Sequence, residues 1–119
     1  MTQPEADLAR YLPMTPAAFH VLAALAEGDR HGYAIIKQVA ERTAGEVELS
    51  TGTLYGIIKR LLSEGLIALS RAPHGDEDDE RRRYYRLTLH GREVAVAEAR
   101  RLEKAVALAR ATRLLPRHA

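Results

Sequence analysis

The stretch Ser50–Ile67, "STGTLYGIIKRLLSEGLI", decides the fold. Its apolar residues recur at intervals of three and four, the spacing of one buried helix face, and they are Leu54, Ile57, Ile58, Leu61 and Leu62. Ser50 is suited to cap this helix and Gly65 to end it. The first turn, however, carries hydroxyls, glycines and a tyrosine instead of the alanine or glutamate of a purely structural helix. This polar end of a core helix indicates a surface contact.

Two more helices are predicted before this stretch. The first has Thr15 as its N-cap and Pro16 at its first position, and it runs to Gly28. The second covers "RHGYAIIKQVAERTAG" and ends at Gly45, with an inward face predicted to hold Tyr33, Ile36, Val39 and Ala40. The following "EVEL" at 46–49 is at most a small strand.

After Gly65 the apolar period shortens towards two. The segments 66–72 and 82–88 therefore read as two strands, and they bracket the polar loop "PHGDEDDE" at 73–80. Thr88 or a residue beside it then caps a last helix, predicted over roughly Leu89–Leu115 and stopped by Pro116. The predicted fold class is mainly α with a small β wing: a winged helix-turn-helix followed by a long C-terminal helix.

Length and composition restrict the class of protein. The 119 residues suit one folding unit, and the absence of cysteine excludes disulfides and thiolate metal sites. No apolar run reaches the roughly 20 residues of a membrane span, so we expect a cytoplasmic protein. Within the chain we expect an N-terminal arm at 1–14 that has room for a short helix, a winged helix-turn-helix domain at 15–89, and a C-terminal helix with its tail at 90–119.

The charge of the chain is weak evidence for nucleic-acid binding. The formal charge is +2, but five of the 16 acidic residues lie in one run, Asp76–Glu80, and without them it is +7. In a helix-turn-helix the second helix enters the major groove with its N-terminal residues leading. Hydroxyls at that end can bond phosphates or base edges, and Gly52 permits close backbone approach. The residues so placed are Ser50, Thr51, Thr53, Tyr55 and Lys59. The alternative is that Ser50 and Thr53 are only caps and that Tyr55 only packs.

Three segments resemble the signature segments of PadR-like transcriptional regulators, in order and with matching intervals. They are "HGYAIIKQV" at 31–39, "GTLYGIIKRLLSEGLI" at 52–67 and "RRYYRLTLHG" at 82–91. The resemblance implies a winged helix-turn-helix that binds double-stranded DNA, a homodimer built through the last helix, and repression at inverted repeats. It nominates Tyr33, Ser50, Thr53, Tyr55 and Lys59 for DNA contact.

The same resemblance leaves open whether a small-molecule effector releases the protein from DNA. The single C-terminal helix is similar to that of the short PadR-like subgroup. Relatives that bind flat aromatic drugs between subunits use tryptophan, and this chain has none. A stacking drug site is therefore not expected.

The second strand of the wing has two faces. Alternation places Tyr85 and Leu87 on one face and Arg82, Tyr84 and Arg86 on the other. The second set is the candidate for contact with a phosphate or the minor groove. The acidic run beside it either pairs with the neighbouring arginines when DNA is absent or is a solvated loop without a role.

The last helix is predicted to build the dimer. Its small and apolar residues recur at intervals of four and three, and we expect them at the interface: Ala95, Ala99, Leu102, Val106 and Ala109. Leu8, Tyr11 and Leu12 of the arm offer extra apolar cover. The alternative is that the helix folds back on its own domain.

Other chemistry finds little support. His20 and His31 are not spaced as metal ligands, no nucleophile and base are paired, and no glycine loop is built for phosphate. We therefore expect no metal, no cofactor and no enzyme activity. Two functions remain: a DNA-binding repressor, and a winged-helix module that binds a protein partner.

Overall fold

The computed structural model describes residues 8–71 and 83–117 and confirms the predicted class, a mainly α winged helix-turn-helix. Its elements in chain order are α1 (Pro16–Ala26), β1 (Arg30–His31), α2 (Gly32–Arg42), α3 (Thr51–Ser63), β2 (Ile67–Ser70), β3 (Tyr84–Leu87) and α4 (Leu89–Ala111). The loop at 73–80, its acidic run and Arg82 lie outside the described residues.

The three predicted helix caps are confirmed. The hydroxyls of Thr15, Ser50 and Thr88 each accept the backbone N–H three residues further on, at 3.2, 3.1 and 2.9 Å. Each hydroxyl thus satisfies one of the N–H groups that a helix start leaves without an intrahelical partner. Short hydroxyl side chains therefore set where α1, α3 and α4 begin.

One apolar core joins all the helices to the sheet. Val21, Leu22 and Leu25 come from α1, and Leu54 and Ile58 from α3; Ile35, Val39, Leu61, Leu66, Ile67, Tyr85 and Val94 complete its centre. Residues from every helix are needed to close this core, so the position of α3 depends on the whole fold.

The sheet has three antiparallel strands in the order β1-β3-β2. The predicted hairpin of β2 and β3 is confirmed, with Ile67 opposite Leu87 and Ser70 opposite Tyr84. The prediction of a small strand at 46–49 is wrong, because residues 46 and 47 form a bend and residues 48 and 49 belong to no helix or strand. The third strand is instead β1, which precedes α2 and pairs with β3.

The predicted inward face of α2 is wrong at Tyr33. Ile35 and Val39 are buried, whereas Tyr33 is 72% exposed, and Ile36 and Ala40 are half-buried. The helical spacing of apolar residues allows two inward faces, one with Tyr33 and Ile36 and one with Ile35 and Val39. The packing of α2 against α1 and α3 buries the face that holds Ile35.

A polar contact outside the core ties the end of α1 to the end of α2. The carboxylate of Glu27 accepts a hydrogen bond from Arg42 Nε at 3.2 Å, and Gln38 also donates to it. These donors, Arg42 first, lower the pKa of Glu27. Both Glu27 and Arg42 lie at the surface, so the pair orients the two helices more than it stabilises them.

The start of α4 lies against the turn that follows α3. Thr88 N–H donates to Leu66 O at 3.2 Å, and Thr88 Oγ1 donates to Gly65 O at 2.7 Å. A Cβ built at Gly91 would lie 1.9 Å from Leu66 O, a backbone atom. Only glycine allows this approach. The helix ends at Ala111, four residues before the predicted end, and Arg113 follows with φ 65.

The first half of α4 holds a buried carboxylate. Glu98 is 2% exposed and accepts two hydrogen bonds from Arg101, Nε to Oε1 at 2.7 Å and Nη2 to Oε2 at 2.8 Å. The backbone N–H of Met14 also donates to it, and these donors, Arg101 first, hold the pKa of Glu98 below its usual range. Glu98 thereby fastens the chain before α1 to the C-terminal helix.

The close approach at Gly91 predicts a large loss on substitution. We expect Gly91→Ala to lower the free energy of unfolding by roughly 3 kcal/mol or more, because the new methyl group meets a carbonyl oxygen that cannot move alone. Gly56→Ala is the matched control: a Cβ there meets nothing within 4 Å, so it should raise stability by up to about 1 kcal/mol. Thermal and urea unfolding measure both, and an equal response would contradict the account.

The lowered pKa of Glu98 predicts a pH-dependent contribution to stability. This contribution is present above the unfolded-state pKa of about 4.3 and is lost as the pH falls through the lower folded-state pKa. Glu98→Gln should therefore lower the free energy of unfolding by roughly 1 kcal/mol at pH 7. The difference in this free energy from wild type should shrink below pH 4. Urea unfolding at pH 7 and at pH 3 measures this; a difference unchanged by pH would contradict it.

Candidate nucleic-acid interface

The first turn of α3 is exposed while the helix behind it is buried. Leu54 is fully buried, and Ile58 and Leu61 follow it into the core. Ser50, Thr51, Gly52 and Thr53 are exposed, and together they form what we term the leading turn. The buried face holds the helix, so the leading turn is presented without having to pack.

The hydroxyls of the leading turn are partly engaged with each other. Ser50 Oγ accepts the Thr53 N–H and donates to Thr53 Oγ1 at 2.9 Å. The interpretation of Ser50 as a cap is therefore correct. It leaves the DNA interpretation standing, because each hydroxyl oxygen has two lone pairs and both residues remain exposed. A Cβ at Gly52 would meet nothing within 4 Å, so its surroundings are open.

Two tyrosines and a lysine flank the leading turn. Tyr33, from the first turn of α2, is 72% exposed, and Tyr55 is 47% exposed. Lys59 is exposed one turn after Tyr55 and forms no ion pair within the described parts of the chain. Arg60, by contrast, is held by Glu64, with Nε 2.9 Å from Oε1. Of the two neighbouring cations, Lys59 and not Arg60 is therefore available to bind an external anion.

The wing differs from the prediction at Tyr84. Tyr84 and Tyr85 are both buried, at 8% and 2% exposure. β3 is the central strand, and β1 pairs with the edge of β3 that a two-stranded hairpin would leave open. His31 of β1 lies opposite Tyr84 in this pairing, and the two rings meet edge to face at 5.3 Å. Tyr84 as a DNA-contacting side chain is therefore wrong, whereas Arg86 is exposed as predicted and Arg83 is exposed as well.

The two histidines weighed as metal ligands have structural roles. His31 is the N-cap of α2, where Nδ1 accepts the Ala34 N–H at 3.1 Å. His20 packs its ring against Phe19 at 5.8 Å. Within 8–71 and 83–117, no three His, Cys, Asp or Glu residues come together as a metal site. The capping role of His31 was missed; its signal is a polar side chain directly before a helical glycine.

The residues predicted for the dimer interface divide into two groups. Leu8, Tyr11 and Ala95 pack in part against their own core, and Leu12 is half-buried. Tyr11 also meets His90, with Oη 3.1 Å from Nε2. Ala99, Leu102 and Val106 are exposed, and Ala109 is half-buried. The fold-back alternative therefore describes the first half of α4, and the second half extends beyond the core.

Two other surface features complete the description. A cleft of about 100 Å³ lies between the arm and α3; Met14, Ile57 and Leu66 line it, and the Arg60–Glu64 pair stands beside it. In the portion of the chain that is described, no helix combines the length and apolarity needed to cross a membrane.

Comparison with known proteins identifies the family. Residues 21–97 match the Transcriptional regulator PadR-like family. The chain belongs to this family. The matched region runs from α1 into the first half of α4 and so contains the leading turn and the wing strands of this PadR-like chain.

Individual relatives agree with the family. A PadR family transcription regulator from Clostridium difficile is 27% identical, with a TM-score of 0.68 over 80% of this chain and 95% of that one. Bacillus subtilis PadR, solved in complex with operator DNA, is 25% identical, with a TM-score of 0.56 over 68% of this chain and 45% of that one. An uncharacterized protein of Lysinibacillus sphaericus is 34% identical over 73 residues, 60% of this chain; the PadR-like chain spans 64% of that relative's length.

Proposed function

We propose that this PadR-like protein is a homodimeric, sequence-specific repressor that binds an inverted-repeat operator through α3. The observation that carries the proposal is the leading turn, which is exposed and rich in hydroxyls at the start of a helix whose opposite face is buried. The relative from Bacillus subtilis was solved with operator DNA, which supports nucleic acid as the partner.

In this proposal the leading turn reads bases and the flanking residues anchor phosphates. Thr51 and Thr53 stand at the tip of α3 with free acceptor capacity, as a base-edge contact requires. Tyr33 at the start of α2 and Lys59 further along α3 are exposed and have polar ends that can reach phosphates. Phosphate contacts fix the register of the protein, and base contacts choose the sequence.

The wing contributes positive charge. Arg86 is exposed on β3, and Arg83 is exposed just before that strand. Arginines at this place suit a phosphate or the minor groove beside the groove that α3 enters. Tyr84 has no part in this contact, since its ring is buried against His31.

The second half of α4 supplies the proposed dimer contact. Leu102 and Val106 are 38% and 41% exposed, on a helix of 23 residues whose buried residues end at Glu98. A helix of this length spans about 34 Å. A second copy packed along this stripe would bury these side chains and place two α3 helices on one face of a duplex. Two-fold symmetry then predicts half-sites about 10 base pairs apart, or a multiple of that.

The competing function, a module that binds a protein partner, lacks this support. Such a module would present an apolar patch at the start of α3, and the leading turn there is small and polar. Tyr33 and Tyr55 are also exposed, but each of these rings ends in a polar hydroxyl. Release of the repressor by a small-molecule effector stays a prediction. A regulator of this kind needs no catalytic centre.

Substitutions on α3 should separate base reading from phosphate anchoring. Thr53→Ala should weaken the free energy of binding by roughly 1 to 3 kcal/mol on a DNA site that the protein has enriched from random duplexes, and by less on random DNA. Lys59→Ala should weaken both alike and flatten the salt dependence by about one counterion. Fluorescence anisotropy over a salt series measures both effects.

Ser63→Ala, at the far end of α3, is the matched control and should bind both duplexes as wild type does. If Thr53→Ala lowers the affinity for selected and random DNA equally, the leading turn only anchors phosphates and does not read bases. Failure to enrich any sequence with the wild-type protein would refute the proposed function.

The dimer is tested at its exposed stripe. Truncation after Gly91 would also remove the buried Val94 and Glu98, so substitution is the cleaner experiment. Leu102→Glu combined with Val106→Glu should give a folded monomer by light scattering, because paired carboxylates cannot be buried at a two-fold seam. Leu108→Glu, an exposed site outside the stripe, should stay dimeric. A dimeric double variant would contradict the assignment.

A further inference from the structure

The starts of α2 and α3 lie so close together at Gly32 that a side chain there would have no room. A Cβ built at Gly32 would lie 2.6 Å from Tyr55 Oη, 3.0 Å from Tyr55 Cζ and 3.4 Å from Leu54 Cδ2. Gly32 is buried and is the first residue of α2, directly after the cap His31. The phenol of Tyr55 therefore lies across the start of α2 in a space that any side chain at position 32 would take.

The need for glycine here is a matter of space. Positive backbone φ angles occur at Gly28, Gly45 and Gly65 but not at Gly32, so alanine could adopt the same backbone. Replacing glycine by alanine at such a position ordinarily stabilises a protein slightly. Gly32 is therefore explained by the ring it accommodates.

The rest of the contact fixes one end of Tyr55 and leaves the other exposed. Leu54, the residue before it, is fully buried, and its packing restrains the backbone at 55. Buried Tyr85 lies near enough for the Tyr55 phenol to add to the rise in the pKa of Tyr85, which burial causes first. Tyr55 Oη itself forms no hydrogen bond within the described residues, although 47% of the residue is exposed.

We propose that Gly32 is a positioning residue: by its lack of a side chain it lets Tyr55 lie across the seam between α2 and α3, where its hydroxyl meets a DNA phosphate beside the base-reading turn. Tyr55 then sets how deeply α3 enters the groove instead of reading a base itself. This inference rests on the proposed function and adds to it the residue that orients one of its anchors.

A double-mutant cycle tests the inference. Gly32→Ala should displace the Tyr55 ring and lower affinity for the selected operator and for random DNA alike, by about tenfold, as expected for a lost hydrogen bond to a charged group. In the Tyr55→Ala background the same substitution should change affinity less than twofold. In the Tyr55→Phe background, which lacks both the atom at 2.6 Å and the hydroxyl that meets the phosphate, Gly32→Ala should likewise change affinity less than twofold.

Two further measurements separate positioning from loss of folding. Unfolding curves should show every variant folded at the assay temperature, with Gly56→Ala as the glycine-to-alanine control for stability. The ring NMR signals of Tyr55 in the absence of DNA should shift in Gly32→Ala and stay unchanged in Gly56→Ala.

The outcomes distinguish the two proposals. Equal effects of Gly32→Ala in the wild-type and Tyr55→Ala backgrounds, or unchanged Tyr55 ring signals, would overturn the positioning role. A wild-type protein that enriches no DNA sequence would overturn the proposed function, and one that binds no DNA at all would also overturn the phosphate contact. The ring signals would then decide only whether Gly32 orients Tyr55.

Discussion

The burial of one face of α3 is the constraint on which the rest of the structure depends. Leu54, Ile58 and Leu61 are each at most 3% exposed, and they reach into a core that needs residues from all the other helices. The N-cap at Ser50 starts the helix one turn before that burial begins. The leading turn is thus held rigidly by the core and left outside it, as a surface that meets a groove in DNA requires.

Around this helix, two contacts between neighbouring elements depend on glycines, which leave room for a close approach. Gly91 brings the start of α4 against Leu66 at the end of the α3 turn, and Gly32 brings α2 under Tyr55. Glu98 with Arg101 then fastens the chain at Met14 to α4. The arm, α3 and the C-terminal helix are therefore joined by direct contacts in one packed unit.

Much of this could be predicted from the sequence because the local signals agree. Thr15, Ser50 and Thr88 are short hydroxyl residues before apolar periodic runs, and each caps a helix. The predictions that are wrong depend on tertiary contacts. β1 is two residues long and pairs with β3, so it is too short to show an alternating pattern from which it could be predicted. Its presence buries Tyr84, which strand alternation alone would expose, and packing against α1 and α3 selects Ile35 over Tyr33 as the inward residue of α2.

The most direct test of the central claim, that α3 meets DNA with its leading turn, is an NMR titration with DNA. Isotope-labelled wild-type protein would be titrated with a duplex enriched by its binding from random sequences and, separately, with a random duplex. The largest shifts should occur at the backbone amide signals of the leading turn, Ser50, Thr51, Gly52 and Thr53, and these shifts should be larger with the enriched duplex. Shifts confined to other surfaces, with the leading turn unchanged, would contradict it.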